Sequence, residues 1–318
     1  MGAAESGGGA RQWLGLAGVL VALAIIFGLL TDHFLAWPTA RALANQAPDG
    51  LLLATGMTLV IVTGGIDLSA GSVLALSGAV FGVLVASAGL PVPIAAVGAV
   101  MTGLACGLVN GAISVRWHLP SFLVTLAMLE MARGATYLVT ASRTIYLGAS
   151  VDALSRGLVA GLSGPLFLAV LIVVAGELML RHSIFGRQLL AVGSNAESAR
   201  LAGLSPGRVR VAAFAVAGGM AGLAAVMQAG RLAAVDPNAG AGMELEAIAA
   251  VVIGGTSLAG GRGSVVASAL GALVILLLGA GLAQIGAQEP TRRLVTGAVI
   301  VAAAILDRYR DRRAADTR

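Results

Sequence analysis

Lysine is absent from this chain: all 20 of its basic residues are arginine. The absence excludes a Walker A loop, whose lysine reaches the β- and γ-phosphates of a nucleotide. It also excludes lysine Schiff-base chemistry. There is one cysteine, Cys106, so no intrachain disulfide can form and a cysteine metal cluster is ruled out. In mid-span it reads as a small packing residue. The three histidines, His33, His118 and His182, are too dispersed to share a metal. Aromatic residues make up 4% of the chain and charged residues 11%, against roughly 25% charged in a soluble domain. So few polar groups could not cover a water-soluble surface. A nucleophile elbow, an HExxH pair and paired carboxylates with a histidine are all missing, so no enzyme is indicated.

What the chain has is apolar bulk. Of its residues, 58% are hydrophobic, 45 are glycine, and the mean hydropathy is +0.94. Apolar runs near 20 residues fit membrane-crossing helices, not the alternating segments of about 10 residues in a β-barrel. Glycine and alanine let such helices pack closely in lipid. The pattern predicts an all-α polytopic membrane protein of ten spans, at 13–30, 48–63, 71–88, 92–115, 119–141, 162–181, 209–230, 242–255, 264–285 and 291–306. Residues 1–318 read as one transmembrane domain. No A-x-A cleavage site directly follows the first segment, which reads as a retained span. Ten crossings place both termini on one side. Twelve arginines flank spans on that side and six on the other, which predicts cytoplasmic termini. These flanking arginines account for a pI near 10.6 without any nucleic-acid partner.

The longest loop on the cytoplasmic side is then 182–208. Its centre, "SNAESARLAGLSP", reads as a short helix capped by Ser194 or Asn195, ended by Gly203 and followed by Pro206. A plain linker does not need this order; a docking surface does.

The chain also repeats itself, so that two related halves each carry a Gly-rich broken helix. "GGIDLSAGSVLALSGA" begins at Gly64 and "GGTSLAGGRGSVVASALGA" at Gly254. Gly64 and Gly65 align with Gly254 and Gly255, and Leu68 with Leu258. After a two-residue insertion, Gly71-Ser72-Val73 aligns with Gly263-Ser264-Val265. Short Gly-interrupted segments paired between halves mark transporters with discontinuous helices. Counting crossings puts both copies on the cytoplasmic side.

Asp67 has two readings. It or Ser69 caps the helix that follows, or it lines a hydrated passage. Its counterpart in the second copy is Ser257, beside Thr256, so the shared features are flexible backbone and small polar caps. Glu130 and Arg133, at i and i+3, read as a self-neutralising pair within a span. Glu244 and Glu246 suit the first turn of the segment at 242–255. Asn110 and Gln228 read as interhelical hydrogen-bonding groups, with a sugar hydroxyl as the other partner each could take.

Three stretches go further: "GMTLVIVTGGIDLSAGSVLALSGA", "NAESARLAGL" and "ELEAIAAVVIGGTSLAGGRGS". They resemble permease subunits of bacterial ribose-type sugar ABC importers, and the likeness runs from about residue 45 to the C-terminus. The resemblance implies an inner-membrane permease dimer, homomeric or heteromeric, without a cofactor of its own. ATP and Mg would sit on a separate cytoplasmic ATPase subunit, and a periplasmic sugar-binding protein would deliver the solute. It implies a coupling helix at "SNAESARLAGLS", carried by Ser194, Asn195, Glu197, Arg200, Leu201 and Gly203. Alternating access would then involve the broken helices at Gly64, Gly65, Asp67, Ser69, Gly254, Gly255, Thr256 and Ser257. The outer loop 142–163 would meet the binding protein. An ion-coupled secondary transporter and an amino-acid ABC permease are the rival expectations.

Overall fold

The structure, a computed structural model, describes residues 6–288, 290–299 and 301–302. Part of the tenth expected span, and the tail arginines that follow it, lie outside the described residues.

The chain opens with α1 (Ser6–Leu30), α2 (Trp37–Val62), α3 (Ala70–Ala86), α4 (Val92–Arg116) and α5 (Ser121–Thr140). Then come β1 (Ile145–Tyr146), a 3-10 turn (Gly148–Val151), α6 (Asp152–Ser155), β2 (Gly157–Val159) and β3 (Leu162–Ser163). The second half holds α7 (Gly164–His182), α8 (Ile184–Ser194), α9 (Ala196–Leu201), α10 (Pro206–Leu232), β4 (Ala234–Val235), α11 (Met243–Ile253) and α12 (Val265–Gln284). Residues 290–299 are helical again. Strand β1 pairs antiparallel with β4, Ile145 opposite Val235, and β2 with β3. This is an all-α membrane protein with two small strand pairs. Among the described residues six helices are long and apolar enough to cross a bilayer: Trp13–Leu30 of α1, and α4, α5, α7, α10 and α12.

The short connections order the bundle into two ends. Loop 182–208, occupied by α8 and α9, marks one end, here the loop face. The strand pairs mark the other, the strand face. Helices α4 and α10 run antiparallel between them on a seam of glycine. A Cβ at Gly103 would overlap the Gly218 carbonyl oxygen, one at Gly107 the Phe214 carbonyl oxygen, and one at Gly218 the Gly103 carbonyl oxygen. Such seams let backbones touch, so dispersion contacts hold helices together where lipid removes the hydrophobic drive.

Helix α2 is the hub. Every residue from Leu51 to Val62 is buried, against α7, α10, α11 and α12. It starts eleven residues before the expected span at 48–63. "APDG" carries turn signals, yet Pro48 lies inside the helix, as membrane helices tolerate when neighbours re-satisfy the freed backbone groups. The outer surfaces of α1, α4, α5 and α7 carry exposed Ile25, Leu29, Val97, Met101, Leu126, Leu171 and Val174. This is the apolar coat expected of lipid-facing helices.

Candidate functional site

Among the stretches that are not helical although they lie inside the bundle are 63–69 and 236–242. In a bilayer each unpaired backbone group costs several kcal/mol, so such stretches persist only where protein satisfies them. Helix α5 satisfies both. Ser121 Oγ accepts the Ile66 N–H at 3.0 Å, and Thr125 Oγ1 accepts the Leu68 N–H at 3.0 Å. Further along α5, Arg133 Nη1 donates to the carbonyls of Pro237 and Ala239, each at 2.8 Å. Tyr137 adds an O–H to Asn238 Oδ1 at 2.8 Å. The expected Glu130–Arg133 pair does not form, because the unwound carbonyls draw the guanidinium inward and Glu130 is left exposed.

The second unwound stretch meets the first turn of α3, directly after the first stretch. A Cβ on Gly71 would overlap the Gly240 carbonyl oxygen and the Glu244 carboxylate, and a Cβ on Gly240 would overlap the Gly71 carbonyl oxygen. Gly240 also sits at φ +73°, a left-handed conformation that glycine alone adopts freely. Glu244 Oε1 accepts the Gly242 N–H at 3.2 Å and Glu246 lies in the same first turn of α11, as the acid-rich helix start led one to expect.

At the loop face the two broken helices end alike. The Gly64 N–H reaches the Ile61 carbonyl and the Gly65 N–H the Val60 carbonyl; the Gly255 N–H reaches Val252 and the Thr256 N–H Val251. Both are Schellman endings with the positive-φ glycine at the same place. Gly64 therefore matches Gly255, not Gly254, and the sequence alignment is corrected by one residue. Asp67 falls opposite Leu258 instead of Ser257. The following helices correspond at their caps, Ser69 with Ser264, instead of Ser72 with Ser264.

Asp67 is buried, and its Oδ1 accepts both the Ser69 N–H at 2.8 Å and the Ser69 hydroxyl at 2.6 Å. This is a side-chain turn ahead of α3. Neither Asp67 nor Ser69 caps an amide of the helix itself, which corrects that part of the cap expectation. Asn110 Nδ2 donates to Ser69 Oγ at 2.9 Å, so Asn110 is the expected interhelical group. In the second copy Ser264 does cap α12, accepting from Ala267. Thr256 Oγ1 lies 3.4 Å from Ser268 Oγ, and the Ser257 N–H reaches the Arg262 carbonyl at 3.1 Å. Gly254 packs on the Ala267–Ser268 backbone and Gly65 on Phe214.

The two breaks join each other and loop 182–208. The Gly261 N–H donates to the Val62 carbonyl at 2.9 Å. A Cβ on Gly193 of α8 would overlap that same carbonyl oxygen, and one on Gly261 would lie 2.5 Å from Ser194 Oγ. The loop is more helical than expected: α8 precedes the short α9. Asn195 Oδ1 accepts the Ser198 N–H at 2.9 Å as the α9 cap, an interaction of about 1 kcal/mol. Gly203, at φ +84°, closes a third Schellman ending, and Pro206 opens α10. Ser194 Oγ donates to the Leu190 carbonyl instead of capping. Leu201 is 78% exposed. Beside it Arg200 forms two hydrogen bonds with Glu197, at 3.0 and 2.5 Å, and holds that carboxyl below the usual carboxylate range.

Two buried acids escaped the sequence reading. Glu177 on α7 accepts from Ser264 Oγ at 3.0 Å and from the Val266 N–H at 3.1 Å, and pairs with Arg181. It therefore holds the start of α12 from outside. Asp49 on α2 pairs with Arg231 at 2.7 Å. An acid inside an apolar run is itself a signal, and both residues lie within expected spans, Asp49 in 48–63 and Glu177 in 162–181. Among the described residues no group of three His, Cys, Asp or Glu side chains could hold a metal ion.

The fold and these broken, mutually satisfied helices define a multi-pass membrane protein of the transporter kind. The chain belongs to the family described as "Branched-chain amino acid transport system / permease component", which matches residues 39–304. It is 34% identical to the ribose import permease protein RbsC of Escherichia coli (strain K12), over 93% of this chain and 95% of that protein. It is 37% identical to the RbsC of Bacillus subtilis (strain 168), over 94% of each chain. It is 32% identical to the L-arabinose ABC transporter permease protein AraH of Azospirillum brasilense, over 96% of this chain and 91% of that one. No solved structure matches the chain.

Proposed function

We propose that this chain is the permease subunit of an ATP-driven ABC importer that carries a monosaccharide-like solute across the inner membrane. The relatives named for ribose and arabinose support the solute class. The observation that carries the mechanism is the junction at Val62, where both helix breaks and α8 share one backbone carbonyl. A push on α8 and α9 reaches both broken helices at once. In this reading a separate ATPase, holding ATP and Mg, docks on the exposed α9 surface of Ser194, Asn195, Glu197, Arg200, Leu201 and Gly203. The loop face is cytoplasmic, in line with the arginine bias. Helices α2, α3, α11 and the one at 290–299 add to the six long apolar spans to give ten crossings and cytoplasmic termini. A second permease chain completes the passage, and a periplasmic binding protein meets the strand face.

The test is uptake of labelled D-ribose and L-arabinose into proteoliposomes holding the permease, its ATPase and its binding protein. Uptake is expected to require ATP, to stop with vanadate and to ignore a protonophore. Uptake that runs on an ion gradient without ATP would sink the proposal. Glu197→Arg and Gly203→Pro are each expected to lower ATPase co-purification by about tenfold, near 1.4 kcal/mol, without changing permease yield. Wild-type co-purification of both variants would show that the ATPase docks elsewhere.

Asp67 separates this reading from an ion-coupled carrier. Asparagine keeps the oxygen that accepts from Ser69, so Asp67→Asn is expected to retain uptake within about threefold of wild type, under 1 kcal/mol. A coupling acid would lose it entirely.

A further inference from the structure

On the strand-face side a cavity of about 980 Å³ lies between the first half of α2, α11, the second half of α12 and the helix at 290–299. That volume is at the upper end of small-molecule sites, about 300–1,000 Å³. Its lining carries Asp49, Gln228 and Arg231 and, from α12, the aliphatic Leu273, Ile275 and Leu276. Asp49 is the thirteenth residue of α2, about 18 Å along the helix from its start, and only 3% exposed.

Its Oδ2 accepts from Arg231 Nη2 at 2.7 Å and from Gln228 Nε2 at 3.3 Å. Its Oδ1 is buried without a hydrogen-bond partner, and so is Arg231 Nε. A structural ion pair that leaves an acceptor and a donor open is poorly built, since unpaired buried groups keep their full desolvation cost. Both atoms are closed off while the pair is folded together; once the pair turns toward the cavity they suit a vicinal diol, one hydroxyl donating to Oδ1 while its neighbour accepts from Nε–H. The aliphatic residues suit the C–H face of a sugar ring.

We infer that Asp49, Gln228 and Arg231 form a hydroxyl-binding station for a polyhydroxylated solute within the permease itself. The inference rests on the proposed import of a monosaccharide-like solute and adds a place where the permease holds it. Occupancy is weak, because a station on a path must also release.

The test uses the permease–ATPase complex in nanodiscs, without the binding protein. Saturation-transfer NMR is recorded with D-ribose, L-arabinose, D-glucose and 2-deoxy-D-ribose, which lacks one hydroxyl of the diol. Wild type is expected to give signal with at least one intact sugar and several-fold less with 2-deoxy-D-ribose. Asp49→Asn turns its amide oxygen toward Arg231 and sets an NH2 where the open acceptor was, so signal is expected to fall at least fivefold. The double exchange Asp49→Arg with Arg231→Asp retains an ion pair. It is expected to restore the melting temperature lost in either single variant, but not the NMR signal. Equal signal in wild type and all variants, or none in wild type, would overturn the station. So would a co-purifying lipid found by native mass spectrometry that fills the site and is not displaced by sugar. ATP-driven uptake of the same four sugars is measured in parallel with the full importer. Failure of all four there refutes the proposed function; uptake with unaltered Asp49→Asn binding refutes the station alone.

Discussion

Gly193→Val is expected to abolish solute uptake while leaving a folded permease in the membrane. Val62 is the last residue of α2, and its carbonyl is among the helix-end groups that lack an intrahelical partner. The Gly261 N–H supplies that partner at 2.9 Å. Gly193 lies so close that any side chain would overlap the same oxygen. The obstacle is backbone and cannot rotate away. Either α8 lifts from α2, or the Gly261 hydrogen bond breaks. Leaving the carbonyl unpaired costs about 1–3 kcal/mol, and overpacking a fitted contact costs about 1–3 kcal/mol more. That is enough to part α8 from the breaks, but α8 makes few of the bundle's contacts, so the core survives. The checking measurement pairs uptake with ATPase activity in proteoliposomes. Uptake is expected to fall at least a hundredfold, about 2.7 kcal/mol, while basal ATP hydrolysis continues and binding protein with solute no longer stimulates it. Gly193→Ala should fall between. A valine variant that transports at the wild-type rate would remove the junction from the mechanism.

Legibility in the sequence followed the length scale of the signal. Seven of the ten apolar runs match a helix of the described residues to within three residues at both ends, because burial and hydropathy act over whole turns. The short α9 was legible too, since Asn195, Gly203 and Pro206 are local signals whose chemistry needs nothing distant. The repeat was visible, but its register was not. Two adjacent glycines in each copy align equally well by letter, and only the Schellman hydrogen bonds decide that Gly64 matches Gly255. Arg133 was misassigned for a related reason. Three residues from Glu130, it had an obvious local partner, and nothing local announced that residues 237–239 would be unwound beside it. Asp49 and Glu177 lay inside expected spans, but nothing local named their partners, Arg231 for the one and the start of α12 for the other. The site is built from long-range backbone contacts, and such contacts leave only glycine as their trace.

The crossing of Gly71 and Gly240 carries the second large expectation: Gly240→Val should prevent the permease from folding. Valine fails there twice. Its Cβ would overlap the Gly71 carbonyl oxygen, and φ of +73° is a genuine outlier for a β-branched residue. Relief would require separating the stretch at 236–242 from the first turn of α3. That motion also withdraws Pro237 and Ala239 from Arg133, leaving a guanidinium and two carbonyls unpaired among buried helices. The summed penalty, of order 5 kcal/mol or more, is comparable to the whole stability of a typical domain. Gly71→Ala meets the first obstacle without the second, since Gly71 is in a helix with ordinary φ; it should lower the melting temperature clearly without eliminating the fold. Gly134→Ala serves as the control, because a Cβ there meets nothing within 4 Å, and it is expected to be neutral or slightly stabilising. Size-exclusion profiles of detergent-solubilised protein at equal expression decide the matter. The monodisperse peak should fall at least tenfold for Gly240→Val, fall partly for Gly71→Ala and persist for Gly134→Ala. A Gly240→Val protein as monodisperse as wild type would mean that the stretch at 236–242 does not meet the start of α3, and the transporter reading would then lose that hinge.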